Sequence, residues 1–370
     1  MTPQKISSTR RSWVQKHIRI SSKLHTRIKS EDKMQFFHHL TTLFSAGTPL
    51  LESLRIASGQ TQSKKMQEVI HMVTERVSAG TSLHQAMAEF PKVFETQWTE
   101  IIKTGEMSGQ LTQVLTALGD HIKSSRELHT KVISSLIYPC IMCCVAVAAV
   151  VIMLWKVVPV FAAFFDDFGS KLPPITQAVV DISEFLQQKG ITMLVCIAVA
   201  VFLIRVYFKT SKGKSILDRS LLSMPMVGEL IVYANMEKFA TNMVLLLENG
   251  LPMMETLSSL RGVFGNTVYK EAMDEIQHRV SGGSGLTTPM EESGLFTSML
   301  VSMVKIGEES GELVKVLNQV AIYYRSKLKE VIERVVVCIE PIVIVGMGVS
   351  VAVILTSIYL PMFQMASGVK

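Results

Sequence analysis

The sequence predicts an all-α, polytopic membrane protein with three transmembrane helices and two duplicated cytoplasmic helical bundles. Three observations predict it. Residues 36–161 repeat as residues 239–363. Three long apolar stretches interrupt otherwise amphipathic sequence. Between them, apolar residues recur with helical spacing: Phe36, Leu40, Leu43 and Phe44 fall at i, i+4, i+7 and i+8. A repeat this long describes a duplicated domain rather than a solenoid.

The chain of 370 residues is 48% hydrophobic. Its first 33 residues carry nine Lys/Arg against Glu31 and Asp32. They read as a basic, flexible arm lying near anionic lipid or a partner. No apolar core follows, so the arm is not a secretory signal. Residues 34–131 form the first repeated domain and 132–158 the first span. Residues 159–189 form a short external loop, with two basic residues against four acidic ones, and 190–208 the second span. The second domain covers 209–334, the third span 335–363, and an external tail 364–370.

About 20 apolar residues cross the hydrocarbon core. Val132–Trp155 has no formal charge, and Val335–Phe363 only Glu340. The middle span is interrupted by Arg205, which can snorkel to the headgroups. Lys123, Arg126 and Lys131 precede the first span. Lys209, Lys212 and Lys214 follow the second, and Lys327, Lys329 and Arg334 precede the third. The positive-inside rule then puts both repeated domains in the cytoplasm and the C-terminus outside.

The repeat is strictest at its corners. Gly47-x-Pro49-x-x-Glu52 returns as Gly250-x-Pro252-x-x-Glu255. Glycine is expected to end one helix in the left-handed conformation. Proline opens the next, and glutamate lies near its positive end. Ser82 and Gln85 have capping-box spacing. The matching corner, Ser281–Gly285, is glycine-rich and expected to be looser. Gly105-Glu106-x-Ser108-Gly109-x-Leu111 returns as Gly307-Glu308-x-Ser310-Gly311-x-Leu313. Here the first glycine is expected to stop a helix, with serine capping the next and glutamate near the same terminus. Glu106 and Glu308 are caps or caps that also contact a partner. Nothing stops the last bundle helix before the membrane, so each is expected to run into its span. Pro139 and Pro341 are expected to kink those spans.

Catalytic signatures are absent from the sequence. There is no H-E-x-x-H, no zinc-type cysteine/histidine cluster and no P-loop, since Phe208 stands where Gly213-Lys214-Ser215 needs a preceding glycine. All five cysteines fall inside the spans and read as packing residues. The net charge of +6 sits beside the spans and in the arm, which argues against nucleic-acid binding. The reading is non-enzymatic, with no cofactor or metal. Glu340 is an ionisable residue within a span. It either reaches the headgroups or a neighbouring span, or binds a hydrophobic partner in the bilayer. Its counterpart in the first copy is Tyr138.

These two duplicated corners, each leading into a proline-containing span, resemble the inner-membrane platform proteins of type IV pilus and type II secretion machines, the PilC and secretion-protein-F family. The resemblance covers residues 31–366. It implies six-helix cytoplasmic bundles and a homodimer or higher oligomer in the bacterial inner membrane. It also implies a cytoplasmic assembly ATPase, a pilin or pseudopilin and other inner-membrane assembly proteins as partners, with ATPase motion driving pilin insertion into a filament. The competing reading is an oligomeric transporter or channel component, for which three unequal spans offer a poor path. A signalling receptor would need a larger external sensor.

Overall fold

The computed structural model describes residues 28–167, 173–208 and 210–368, and among them every regular element is helical. Most of the basic arm, residues 1–27, lies outside the described residues. The first helix already begins within the span assigned to that arm: α1 is Ser30–Ser45, with Glu31 and Asp32 in its first turn. Acids there face the positive helix terminus, which explains why the arm ends where it does.

The first copy continues through α2 (Leu50–Gln60), α3 (Lys64–Ser78), α4 (Leu83–Ala88) and α5 (Thr96–Ser108). It closes with the start of α6 (Leu111–Ile152). Its core is aromatic at the centre. Phe36, Phe37 and Phe94 are buried, and Phe37 meets Trp98 edge-on at 5.6 Å. Each such ring buries surface worth about 2–3 kcal/mol, and good ring pairs add about 1 kcal/mol. Thr41 ties α1 to α6 by donating to the Leu115 carbonyl at 3.1 Å.

The second copy repeats the order in α10 (Val227–Glu248), α11 (Met253–Leu260), α12 (Thr267–Ser281), α13 (Thr287–Ser293) and α14 (Ser298–Ser310). It closes with the start of α15 (Leu313–Gly368). Phe239 packs on Phe296 at 5.2 Å, and Tyr269 stacks on Phe264 at 5.6 Å. The Tyr269 hydroxyl donates to the Leu295 carbonyl at 3.0 Å. Burial pushes that hydroxyl well above the usual tyrosine range, so it stays neutral. The two copies touch where α11 packs on α5. A Cβ at Gly250 would lie 3.8 Å from Thr104, whereas one at Gly47, the equivalent corner, would meet nothing.

Two compact units result, and their border differs from the one drawn at residue 209. One unit holds both copies. The other holds residues 130–235 and 322–370 together with 266–268. Thus α9 (Ser211–Ser223) and the first turns of α10 belong with the apolar helices. The reason is an extension: α10 starts twelve residues before Phe239. In that extension Tyr233 meets Tyr324 of α15 at 5.8 Å, and Glu229 pairs with Arg334 at 3.7 Å.

In the apolar unit, α6 passes through a π-helical turn (Met153–Val157) into α7 (Val158–Asp167). Residues 174–207 form one helix, α8. The expected loop at 159–189 is therefore mostly helical, because α7 prolongs the first span and α8 begins at Pro174. Likewise, α15 continues to Gly368 through most of the expected tail. Leu111–Phe164 and Leu313–Phe363 are long and apolar enough to cross a membrane, and their apolar parts are almost wholly exposed. Val227–Glu248 also has the length and composition. It is half buried and carries Glu237 and Lys238 at mid-helix, so it is a bundle helix. The third apolar helix is the second half of α8, from Ile191 to Tyr207.

The first half of α8 packs on the ends of the other two. Val158, Val179, Val180, Ile354 and Ile358 form one buried cluster. Thr176 donates to the Ser357 carbonyl at 2.8 Å, and Ser183 donates to the Leu154 carbonyl. A π-turn disturbs the usual carbonyl pairing, and Ser183 satisfies a carbonyl there. Replacing Ser183 with Ala should destabilise the protein by about 1–2 kcal/mol. The check is the thermal midpoint of the detergent-solubilised protein, which should fall by several degrees, while Gln187→Ala should leave it nearly unchanged.

Candidate functional site

The repeated corners are the best-built features outside the core. Gly47 and Gly250 have φ of 85° and 83°. The amides of Thr48 and Leu251 reach back to the carbonyls of Leu43 and Leu246, both at 3.1 Å. This is the Schellman stop that glycine permits. Pro49 and Pro252 then stand at the N-caps of α2 and α11. Two buried hydroxyls complete the turns. Ser53 donates to Thr48, and its counterpart Thr256 to Leu251. Sequence reasoning missed this pair; the signal was a hydroxyl residue following each glutamate. Glu52 and Glu255 lie in the first turns of their helices and are exposed.

The second corner works differently from its expected form. Gly105 does not stop a helix; it lies inside α5, where a Cβ would sit 2.8 Å from Val114. Gly307 is equally tight against Leu313. These glycines let the next helix approach. Gly109 and Gly311, with φ of 75° and 71°, are the stops. Ser108 donates back to the Gly105 carbonyl at 3.5 Å and caps nothing. Ser310 accepts from the Glu312 amide at 3.3 Å, beside the start of α15.

The glutamates cap a different helix from the one expected. Glu106 accepts from the amides of Leu83 at 2.6 Å and His84 at 3.1 Å, and from the His84 ring. Glu308 accepts from the amides of Leu286 at 2.6 Å and Thr287 at 3.0 Å, and from the Thr287 hydroxyl. Each thus satisfies the exposed N–H groups of a helix over twenty residues earlier, α4 or α13. The Ser82 capping box does not form: the Ser82 hydroxyl makes no side-chain cap bond, and Glu106 caps the helix instead through the Leu83 and His84 amides. The glycine-rich corner at 281–285 is closed in the same way rather than loosened. A Cβ at Gly285 would lie 3.4 Å from the Glu308 carboxylate, so glycine gives that acid room.

A second repeated clamp crosses the same corners. Arg76 makes two contacts with Glu89, at 3.0 and 3.2 Å, and Arg279 makes two with Glu292. The forked geometry suits guanidinium and carboxylate. Arg279 holds the Glu292 carboxyl below the usual carboxylate range. Pro139 and Pro341 lie inside continuous helices, as does Pro361. Glu340 is exposed on α15 and, among the described residues, has no hydrogen-bond or ion-pair partner. No group of three or more metal-binding side chains occurs among the described residues.

Fold and corners together define a membrane protein built from a duplicated helical module, each module feeding an apolar helix. The family described as type II secretion system (T2SS), protein F, matches residues 36–159 and again 239–361. The chain belongs to that family. It is 31% identical over 342 residues to "Type IV pilus assembly protein PilC" of Pseudomonas aeruginosa, covering 92% of this chain and 91% of the relative. It is 31% identical over 335 residues to the protein of the same name from Thermus thermophilus, covering 90% and 82%. Against "Type II secretion system protein F" of Aeromonas hydrophila the identity is 28% over 326 residues, covering 88% and 84%.

Removing either cap should expose the amides it satisfies. Glu308→Ala should cost about 2 kcal/mol, with Glu308→Gln losing less because one acceptor oxygen remains. Amide hydrogen exchange at Leu286 and Thr287 should accelerate in step, with no matching change at Leu83 and His84. Glu106→Ala should show the reverse pattern.

Proposed function

We propose that this protein is an inner-membrane platform of a type IV pilus or type II secretion assembly machine. It couples a cytoplasmic ATPase to the insertion of pilin or pseudopilin subunits into a filament. One observation carries the reading: each repeated bundle hands its last helix, without a break, to an apolar helix. α6 has 42 residues and α15 has 56. A helix rises 1.5 Å per residue, so such elements are long enough to join an aqueous bundle to the membrane interior. The names of the relatives support the same machine.

The role needs no chemistry within this chain, which acts as a scaffold and not as an enzyme. The bundles face the cytoplasm, following the basic residues that flank the spans. The exposed Glu52 and Glu255 offer two equivalent acidic contacts to partners, one per bundle. Glu106 and Glu308 tie α4 and α13 to the helices that lead into the linking helices. The protein works as a dimer or higher oligomer, so that several linking helices act together.

Deletion of the gene should abolish surface filaments or secretion, and the solubilised protein should copurify with the assembly ATPase. Intact filaments and secretion in the deletion strain would refute the platform reading. Coupling through α6 has its own check. A Gly-Ser-Gly-Ser insertion after Glu127 breaks the helix in its exposed stretch at a cost of about 1 kcal/mol per glycine. Assembly should be lost while membrane insertion and ATPase copurification persist.

A further inference from the structure

The first and third apolar helices face each other along a seam that is packed at one end, open in the middle, and bridged towards the bundles by the exposed Lys131–Glu333 pair at 3.8 Å. On α6 and its π-turn the seam residues are Cys143, Val147, Val150, Leu154 and Val157. On α15 they are Val343, Met347, Ser350, Ile354 and Ser357. Both sets follow the alternating four-three spacing of a packed helix pair. At the end nearer α8 the seam is closed: Ile354 is 3% exposed, Ser357 2%, and Val150, Leu154 and Val157 pack on the cluster that α8 completes. Between that end and the Lys131–Glu333 pair the helices leave a gap. An open groove of about 320 Å³ remains, with Ala146, Val147 and Val150 facing Val343, Gly346 and Ser350.

Glu340 stands three residues before Val343, on the same face of α15 and at the open end of the groove. It carries the only formal charge between Val335 and Phe363, and Val132–Trp155 carries none. It is exposed and without a partner among the described residues. A lone carboxylate at that depth is costly unless an opposite charge meets it. Small side chains such as Ala146, Gly346 and Ser350 let another backbone come close.

We propose that this groove receives an apolar transmembrane helix of another protein, one bearing a positive charge level with Glu340. The helix completes the open seam as a third strand, and its cation pairs with the carboxylate. The proposal deepens the platform reading and rests on it only for the expectation that such a helix is presented to this protein. Charge selects the occupant: a lipid chain would fill the apolar walls without answering Glu340, and a second copy would bring another acid to the same level.

The test uses the full-length protein in liposomes of uncharged phospholipid, with a photo-crosslinking residue in place of Met347. The probes are two synthetic apolar helices, identical except for one Lys or Gln placed level with Glu340. Crosslinking of the Lys helix should exceed that of the Gln helix about tenfold. Glu340→Gln should abolish the difference, and Glu340→Lys should transfer the preference to a helix bearing Asp. Gly346→Leu, which fills the groove, should abolish crosslinking of every helix; Val147→Phe repeats the test should that variant fail to insert. Equal crosslinking of the Lys and Gln helices would overturn the proposal. So would crosslinks confined to lipid, or to a second copy of this chain. A deletion strain with normal filaments and secretion would overturn the platform role and leave this charge preference standing.

Discussion

Backbone hydrogen bonding in hydrocarbon is the constraint on which the rest of the structure depends. No water is present there to satisfy an open N–H or C=O, so a helix entering the bilayer must stay continuous. That requirement fuses each bundle's last helix with its span and lets proline persist at Pro139 and Pro341 only inside unbroken helices. Where the regular pattern changes, at Met153–Val157, Ser183 of α8 supplies a donor to Leu154. The buried cluster of Val179 and Val180 with Ile354 and Ile358 holds α8 in place to do so. One end of the span pair is therefore fixed by α8, while a groove stays open between Val147 and Val343.

The sequence made the bundles and the spans legible because their signals are local. Periodicity marked α1 and α10, and glycine followed by proline marked the turns after them. What it did not reveal lies in tertiary contact. Gly105 reads as a helix stop beside Ser108 and Gly109, yet its position is set by the approach of Val114. Glu106 reads as a cap for the helix that follows, yet the donors that claim it belong to Leu83 and His84. Residues 174–189 are polar enough to suggest a loop. They are helical because Thr176, Val179, Val180 and Ser183 recur on one face, a pattern that gains meaning only when two other helix ends lie beneath it.

The copies share their geometry and differ in what they leave open. Leu328, Val331 and Ile332 of α15 are buried, whereas the equivalent Arg126, His129 and Thr130 of α6 are polar and none is buried. The extra turns at the start of α10 lie beside α15, through Tyr233 and Glu229, while the start of α1 reaches α6 with polar contacts, Glu31 pairing with Arg126 at 3.0 Å. One linking helix is thus braced by buried apolar contacts and the other by surface ion pairs. In the spans the difference reappears as Glu340 against Tyr138. Duplication provided two similar handles, and the later changes made their membrane ends unequal.

The carboxylates that hold α4 and α13 have a consequence for how such a chain can change over time. Part of the information that fixes each short helix is stored more than twenty residues downstream of it, outside the turn it closes. The turns themselves keep only what the backbone requires, the left-handed glycine at Gly80 and Gly283. Ala79-Gly80-Thr81-Ser82 and Gly282-Gly283-Ser284-Gly285 share a left-handed glycine and the hydroxyl residue after it but differ at their ends, and both are drawn shut by the same kind of acid. Substitutions at Ala79 or Thr81 should accumulate nearly silently, whereas a single change at Gly80, Gly283, Glu106 or Glu308 should not.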